Sequence, residues 1–199
     1  MADQVTAKDE GAKFTAHPEG QFTAICADVI NLGERVEQYQ GNPPRVVSKC
    51  ALVFQSEEIN PDTKEHHTVT AEFTISMNEK AGLRLLLEAW RGKTYTDEQA
   101  EEGVPVHKLV GVPALISVEH KRSGAGRTYA KIKTIAPLPK AMPTPVLNGY
   151  KRGDWWQKRK EEYANEVAKH RAAHAAPKND TDFRDFPEAL DDGDEDLPF

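Results

Sequence analysis

The chain is 199 residues long, 38% hydrophobic and 29% charged, with 26 Lys and Arg against 32 Asp and Glu. That length suits one domain with extensions or at most two small domains, and so polar a composition predicts some disordered length. No run approaches the ~18 apolar residues of a membrane span, and two cysteines, Cys26 and Cys50, give no spacing for a disulfide framework or a metal site.

Residues 1–18 are small, charged and punctuated by Gly and Pro, and read as a flexible arm with no apolar secretion-signal core. A soluble intracellular protein is expected, with both cysteines as buried free thiols in a reducing compartment. From Gln21, "QFTAICADVINLG" is a β-prone run with apolar residues on both parities, so it should be buried on both faces for part of its length. "ERVEQYQGNPP" is a polar turn, and "RVVSKCALVFQSEEI" is a second strand. After the turn chemistry of Asn60-Pro61-Asp62, "TVTAEFTISM" alternates cleanly: Val69, Ala71, Phe73, Ile75 and Met77 face one way, the threonines, Glu72 and Ser76 the other.

The period then switches. Ser76-Met77-Asn78-Glu79 has a capping-box pattern, and Leu83, Leu86, Leu87 and Trp90 recur as a helical stripe that Gly92 ends. Trp90 closes that stripe and is expected in the core. "TDEQAEEG" predicts a short second helix capped by Thr96 and stopped by Gly103. Two strands near Val110–Lys121 and Arg127–Ile135, joined by "SGAG", predict a hairpin. Four prolines between Pro137 and Pro145 close the domain. Asp154-Trp155-Trp156-Gln157 starts a capped basic helix with a thin stripe of Trp156, Tyr163 and Val167, which either docks weakly or lies free. The Trp155-Trp156 pair reads as a helix anchor in preference to a base stack. Charge is uneven: residues 140–176 hold eight Lys or Arg against four acids, whereas residues 177–199 hold two against nine and should be disordered.

Three strands, a helix and two strands in about 120 residues is the order of the OB-fold, a five-stranded Greek-key barrel with its helix between strands three and four. The expected layout is an arm over 1–18, the barrel over 19–140, a Pro-rich linker and basic helix over 141–176, and a disordered acidic tail over 177–199. The barrel resembles the OB-fold single-stranded DNA-binding proteins of tailed bacteriophages. The resemblance is carried by "VINLGERVE", "MNEKAGLRLLLEAWRGKTYT" and "LVGVPALISVEHKRSGAGRTYAKIKTIAPLPK", within Gln21 to Lys140. The tail "DDGDEDLPF" is similar to the acidic tip of bacterial single-stranded DNA-binding proteins. The resemblance implies sequence-independent binding of single strands in replication, recombination or repair, in the cytoplasm of an infected bacterial host.

Such binding needs cations for phosphates and flat rings for bases. Tyr129, Lys131 and Lys133 share one parity of the last strand, with Ala130, Ile132 and Thr134 on the other. The expected groove is Arg45, Lys49, Phe54, Arg127, Tyr129 and Lys131; Phe54 is equally readable as core. Asp194, Glu195, Asp196, Leu197, Pro198 and Phe199 are the expected partner-binding tip, recruiting replication or repair proteins while the acids compete with DNA. His66-His67 lacks a third ligand at sensible spacing, so no metal is expected. No Gly-rich phosphate loop, H-E-x-x-H or nucleophile elbow occurs, so neither catalysis nor a cofactor is expected. The rival readings are an OB-fold interaction module without nucleic acid and a single-strand annealing protein.

Overall fold

The structure, a computed structural model, describes residues 15–39, 41–124 and 126–174. The long run after Gln21 forms β1, Gly20–Glu37, longer than its apolar stretch because Glu34 to Glu37 continue the ladder with β2, Arg45–Ile59. β3 follows at His66–Thr74, then β4 at Pro113–Arg122 and β5 at Thr128–Ala136. All pairings are antiparallel, in the order β3-β2-β1-β4-β5. The sheet is open: its edge strands β3 and β5 come close but share no hydrogen-bonded ladder.

β1 is buried on both faces, as its mixed parity predicts, and a register shift explains how. Ala24 and Cys26 point into the main core. A bulge between Cys26 and Asp28 then reverses the alternation, so Val29 takes the inner side while Ile30 and Leu32 turn outward. On β2, Cys50, Leu52 and Phe54 face the main core, and Ala51 and Val53 the outer cluster.

α1, Gly82–Arg91, lays Leu83, Leu87 and Trp90 onto the main core, and Gly92 ends it in the left-handed region at φ 67°. Trp90 sits edge-on to Phe54 at 5.2 Å and donates its indole N–H to the Pro113 carbonyl at 2.8 Å. The expected capping box does not form: the helix starts at Gly82 after Ala81, and the Ser76 hydroxyl instead accepts the Asn78 N–H. β3 also stops early at Thr74, leaving Ile75 exposed. The anchor of this turn is Arg84, which donates to the carbonyls of Met77 and Tyr95, each at 3.0 Å, and pairs with Glu88. α2, Asp97–Glu102, has the full Thr96–Gln99 capping box expected of it. A short 3-10 turn, Val106–Leu109, leads into β4.

α3, Trp155–Ala173, docks on β1. Its thin stripe suffices because the outward face beneath it is aliphatic: Tyr163 joins Ala27, Ile30, Leu32, Ala51 and Val53, with Tyr150 and Trp156 at the margin. The segment before it is laced down as well. Gln55 and the backbone of Asn148 exchange two hydrogen bonds, at 2.9 and 2.8 Å. The end of the expected arm is also fixed. His17 is only 2% exposed, bonded to the Ser56 hydroxyl at 2.8 Å and edge-on to Phe22. Residues 1–14 of that arm and the acidic tail lie outside the described residues.

Candidate functional site

The ladder divides the six expected groove residues. Arg45 stands opposite Glu37 at the far end of β1, exposed beside the first turn. Arg127, Tyr129 and Lys131 stand on the β4–β5 hairpin, whose strand β4 pairs with the beginning of β1. Arg45 therefore does not share a cluster with the other three.

Two of the six are not available to a ligand. Phe54 has no exposed surface, so its ring is core and cannot stack a base. Lys49 is 6% exposed and its ammonium is held by Glu37 at 2.6 Å and the Thr74 hydroxyl at 3.3 Å. Burial alone would raise the Glu37 carboxyl, but hydrogen bonds from Lys49 and Thr74 and the Lys49 charge outweigh it and hold it below its ordinary value. Even parity sent Phe54 inward and odd parity sent Lys49 outward into this pair; the sequence alone does not show that Glu37 would reach it.

β5 keeps the expected row. Tyr129 is 43% exposed, with Arg127 before it and Lys131 after it, both exposed. Ala130 and Ile132 pack inward. A bulge opposite Ser117 and Val118 then interrupts the alternation at Lys133, so Ile135, not Thr134, supplies the next buried side chain. Among the described residues no carboxylate pairs with Arg127, Lys131 or Lys133, whereas Lys121 in the same hairpin is paired with Glu119 at 3.1 Å. The row therefore presents one flat ring between unpaired cations.

Tyr129 borders a cleft on each side. One, of about 690 Å³, lies between β3, α1 and β5 and is lined by Phe73, Leu86 and Ile132 together with Glu72, Lys131 and Lys133. The other, of about 570 Å³, runs along β3 past Thr68 and Thr70 to Trp155. Tyr95 is half-buried beneath Arg91, whose guanidinium lies 4.3 Å from its ring centroid.

The residue that the sequence reading missed is Asp28. Tyr150 donates to it at 3.0 Å, and Arg152 grips it with two bonds at 2.6 and 2.5 Å. Burial would raise the Asp28 carboxyl, but Arg152 and Tyr150 more than offset this and hold it below its ordinary value. Burial and the same carboxylate push the Tyr150 hydroxyl upward. An acid inside an apolar strand was the available signal. On α3, Tyr163 donates to Glu72 at 2.6 Å, and burial with that bond pushes its hydroxyl up to about 12.

Cys26 and Cys50 are free and buried, and burial pushes their thiols up to about 12 and about 11, far from a reactive thiolate. His66 bonds to the Ser56 carbonyl and the Asn148 amide, and no group of three metal-ligating side chains occurs among the described residues. Among those residues no helix is long and apolar enough to cross a membrane. Asp194 to Phe199, the expected partner-binding tip, lie outside the described residues. No protein-family model matches the chain, and no curated protein matches it significantly.

Proposed function

We propose that this chain binds single-stranded DNA without reading its sequence, in replication, recombination or repair, and is a binding protein rather than an enzyme. The observation that carries the reading is the β5 row: an exposed Tyr129 between Arg127 and Lys131, none of the cations matched by a carboxylate among the described residues. A ring beside cations answers both needs of sequence-tolerant strand binding, a stacking face and phosphate neutralisation. The topology supports the reading. An open antiparallel sheet in the order β3-β2-β1-β4-β5, with helices between β3 and β4 and with β3 near β5, is compatible with a five-stranded OB-fold whose closing ladder is not made. On the resemblance to phage single-stranded DNA-binding proteins, the protein would act in the cytoplasm of an infected bacterial host.

The tail completes the proposal. Its acids compete with DNA for the cations, and its Leu197-Pro198-Phe199 end fits an apolar pocket on a replication or repair protein. A rival, an interaction module with no nucleic-acid role, draws on the net acidity of residues 1–139, which hold nineteen acids against sixteen Lys and Arg. Intrinsic fluorescence titrated with oligo(dT) and with a duplex of equal length separates the two. Saturable binding of the single strand, weaker for the duplex, is expected; no binding of either supports the interaction module.

A further inference from the structure

α3 seals the outward face of β1 and β2, which lies under Tyr163 and holds only aliphatic side chains there. That face offers neither rings nor unpaired cations to a strand. The outward side of β3 stays open, because α3 begins beside it. Two cavities, of about 640 and 570 Å³, meet there and share Glu65, His66, Thr68, Thr70 and Trp155. Each falls within the roughly 300–1,000 Å³ of ordinary ligand sites. Together they form one cleft along β3, open from the β2–β3 turn to Tyr129 on β5.

The two adjacent tryptophans play different parts in it. Successive helical residues point about 100° apart. Trp156 turns to the sheet, where it packs at the margin of the outer cluster with the Arg152 guanidinium 5.6 Å from its ring. Trp155 turns the other way, is 39% exposed, and lines both cavities. It anchors no part of the core. Lys64, at the turn tip with φ 62°, and Lys151 line the same cleft, and neither has a carboxylate partner among the described residues. Two acids line the cleft: Glu72 is already taken by Tyr163 and Arg159, whereas Glu65 lies exposed at the β2–β3 turn, so the phosphate path runs on the Lys64 and Lys151 side of it.

We propose that the C-terminal helix is part of the binding site: a single strand runs along β3 between Tyr129 and Trp155, with one base stacked on Trp155 and phosphates near Lys64 and Lys151. This rests on the single-strand reading given above and extends it by one wall of the path. It assigns the two tryptophans opposite tasks, Trp156 holding the helix down and Trp155 facing the ligand.

The test titrates oligo(dT) into wild type, Tyr129→Ala, Trp155→Ala and Trp155→Phe. Trp155→Ala should weaken binding roughly 5- to 150-fold, the range for one lost base stack, and Trp155→Phe should recover most of it. Because Trp90 is buried and Trp156 is packed, binding should quench tryptophan emission through Trp155, so Trp155→Phe should bind yet lose most of the quench. That second readout decides the matter even where Trp155→Ala unfolds. Wild-type affinity in Trp155→Ala, or an undiminished quench in Trp155→Phe, while Tyr129→Ala binds poorly, overturns this role for Trp155 and leaves the single-strand reading standing. Wild type that ignores oligo(dT) overturns both.

Discussion

The outward surface of the sheet divides into two regions of similar raw material and opposite use. Under and around α3, Asp28, Glu37 and Glu72 are matched by Arg152, Lys49 and Arg159, and the aromatic rings of Tyr163 and Trp156 pack on aliphatic strands. Along β3 and β5, Tyr129 and Trp155 stand open, and Arg127, Lys131, Lys64 and Lys151 meet no carboxylate among the described residues. Residue type does not distinguish the regions; a completed ion pair does, for even Glu119, which stands opposite Lys131 in the ladder, pairs with Lys121 instead. A cation with a buried partner is committed to the fold, since removing either partner strands a charge. A cation without one is available to a phosphate.

The largest expected effect lies on the inner side of the sheet, which neither region can reach, at Phe54. As a wholly buried ring, Phe54→Ala should lower unfolding free energy by about 3–5 kcal/mol, the usual cost of truncating a core aromatic. Denaturant titration measures this. Phe54→Leu, studied where it remains folded, should bind oligo(dT) like wild type; a stable but binding-deficient variant would return Phe54 to the interface. At the exposed region the expectation reverses. Tyr129→Ala should weaken oligo(dT) binding by about 1–3 kcal/mol and leave the melting curve nearly unmoved. A large fall in melting temperature would show that the ring is structural.

A smaller effect concerns acid. Burial holds His17 below its ordinary pKa, opposed by the Pro18 carbonyl and Glu58 and aided by His120. Burial and the neighbouring His17 do the same for His67, opposed by Glu58. The folded values lie below the unfolded value of about 6.5. Above that pH both rings are neutral in either state and stability is complete. As pH falls through about 6.5 the unfolded chain takes up protons first, so stability declines toward the folded values. Melts at pH 7.5 and 5.5 should show the drop in wild type and a smaller one in His17→Gln. Equal drops would remove His17 from the account.

Much of the fold was legible because its signals are local. The boundaries of β2, the Leu83–Trp90 stripe, the Thr96 cap and the hairpin follow from alternation, helical spacing and turn residues. The misses lie in contacts that local patterns do not encode. Nothing near Ser76 reveals that Arg84 will fasten that turn, making the apparent capping box idle. Asp28 finds its partners 122 and 124 residues away, and Lys49 finds Glu37 on the neighbouring strand. Parity placed Tyr129 and Lys131 correctly, since alternation holds up to the bulge at Lys133. It could not place Phe54 and Lys49 in one groove, because their opposite parities send one to the core and the other to a buried ion pair. The different fates of Trp155 and Trp156 depend on where α3 docks, which its sequence left open.

The measurement that bears most directly on this division is the salt dependence of oligo(dT) affinity in wild type, Lys131→Ala and Lys49→Met. Each phosphate neutralised contributes about -0.7 to the slope of log K against log salt. Wild type should fall steeply, Lys131→Ala should be shallower by about 0.7, and Lys49→Met, though less stable, should keep the wild-type slope. A flat response in wild type, or a slope that changes with Lys49 and not with Lys131, would contradict the assignment of the exposed β5 cations to DNA and the buried ones to the fold.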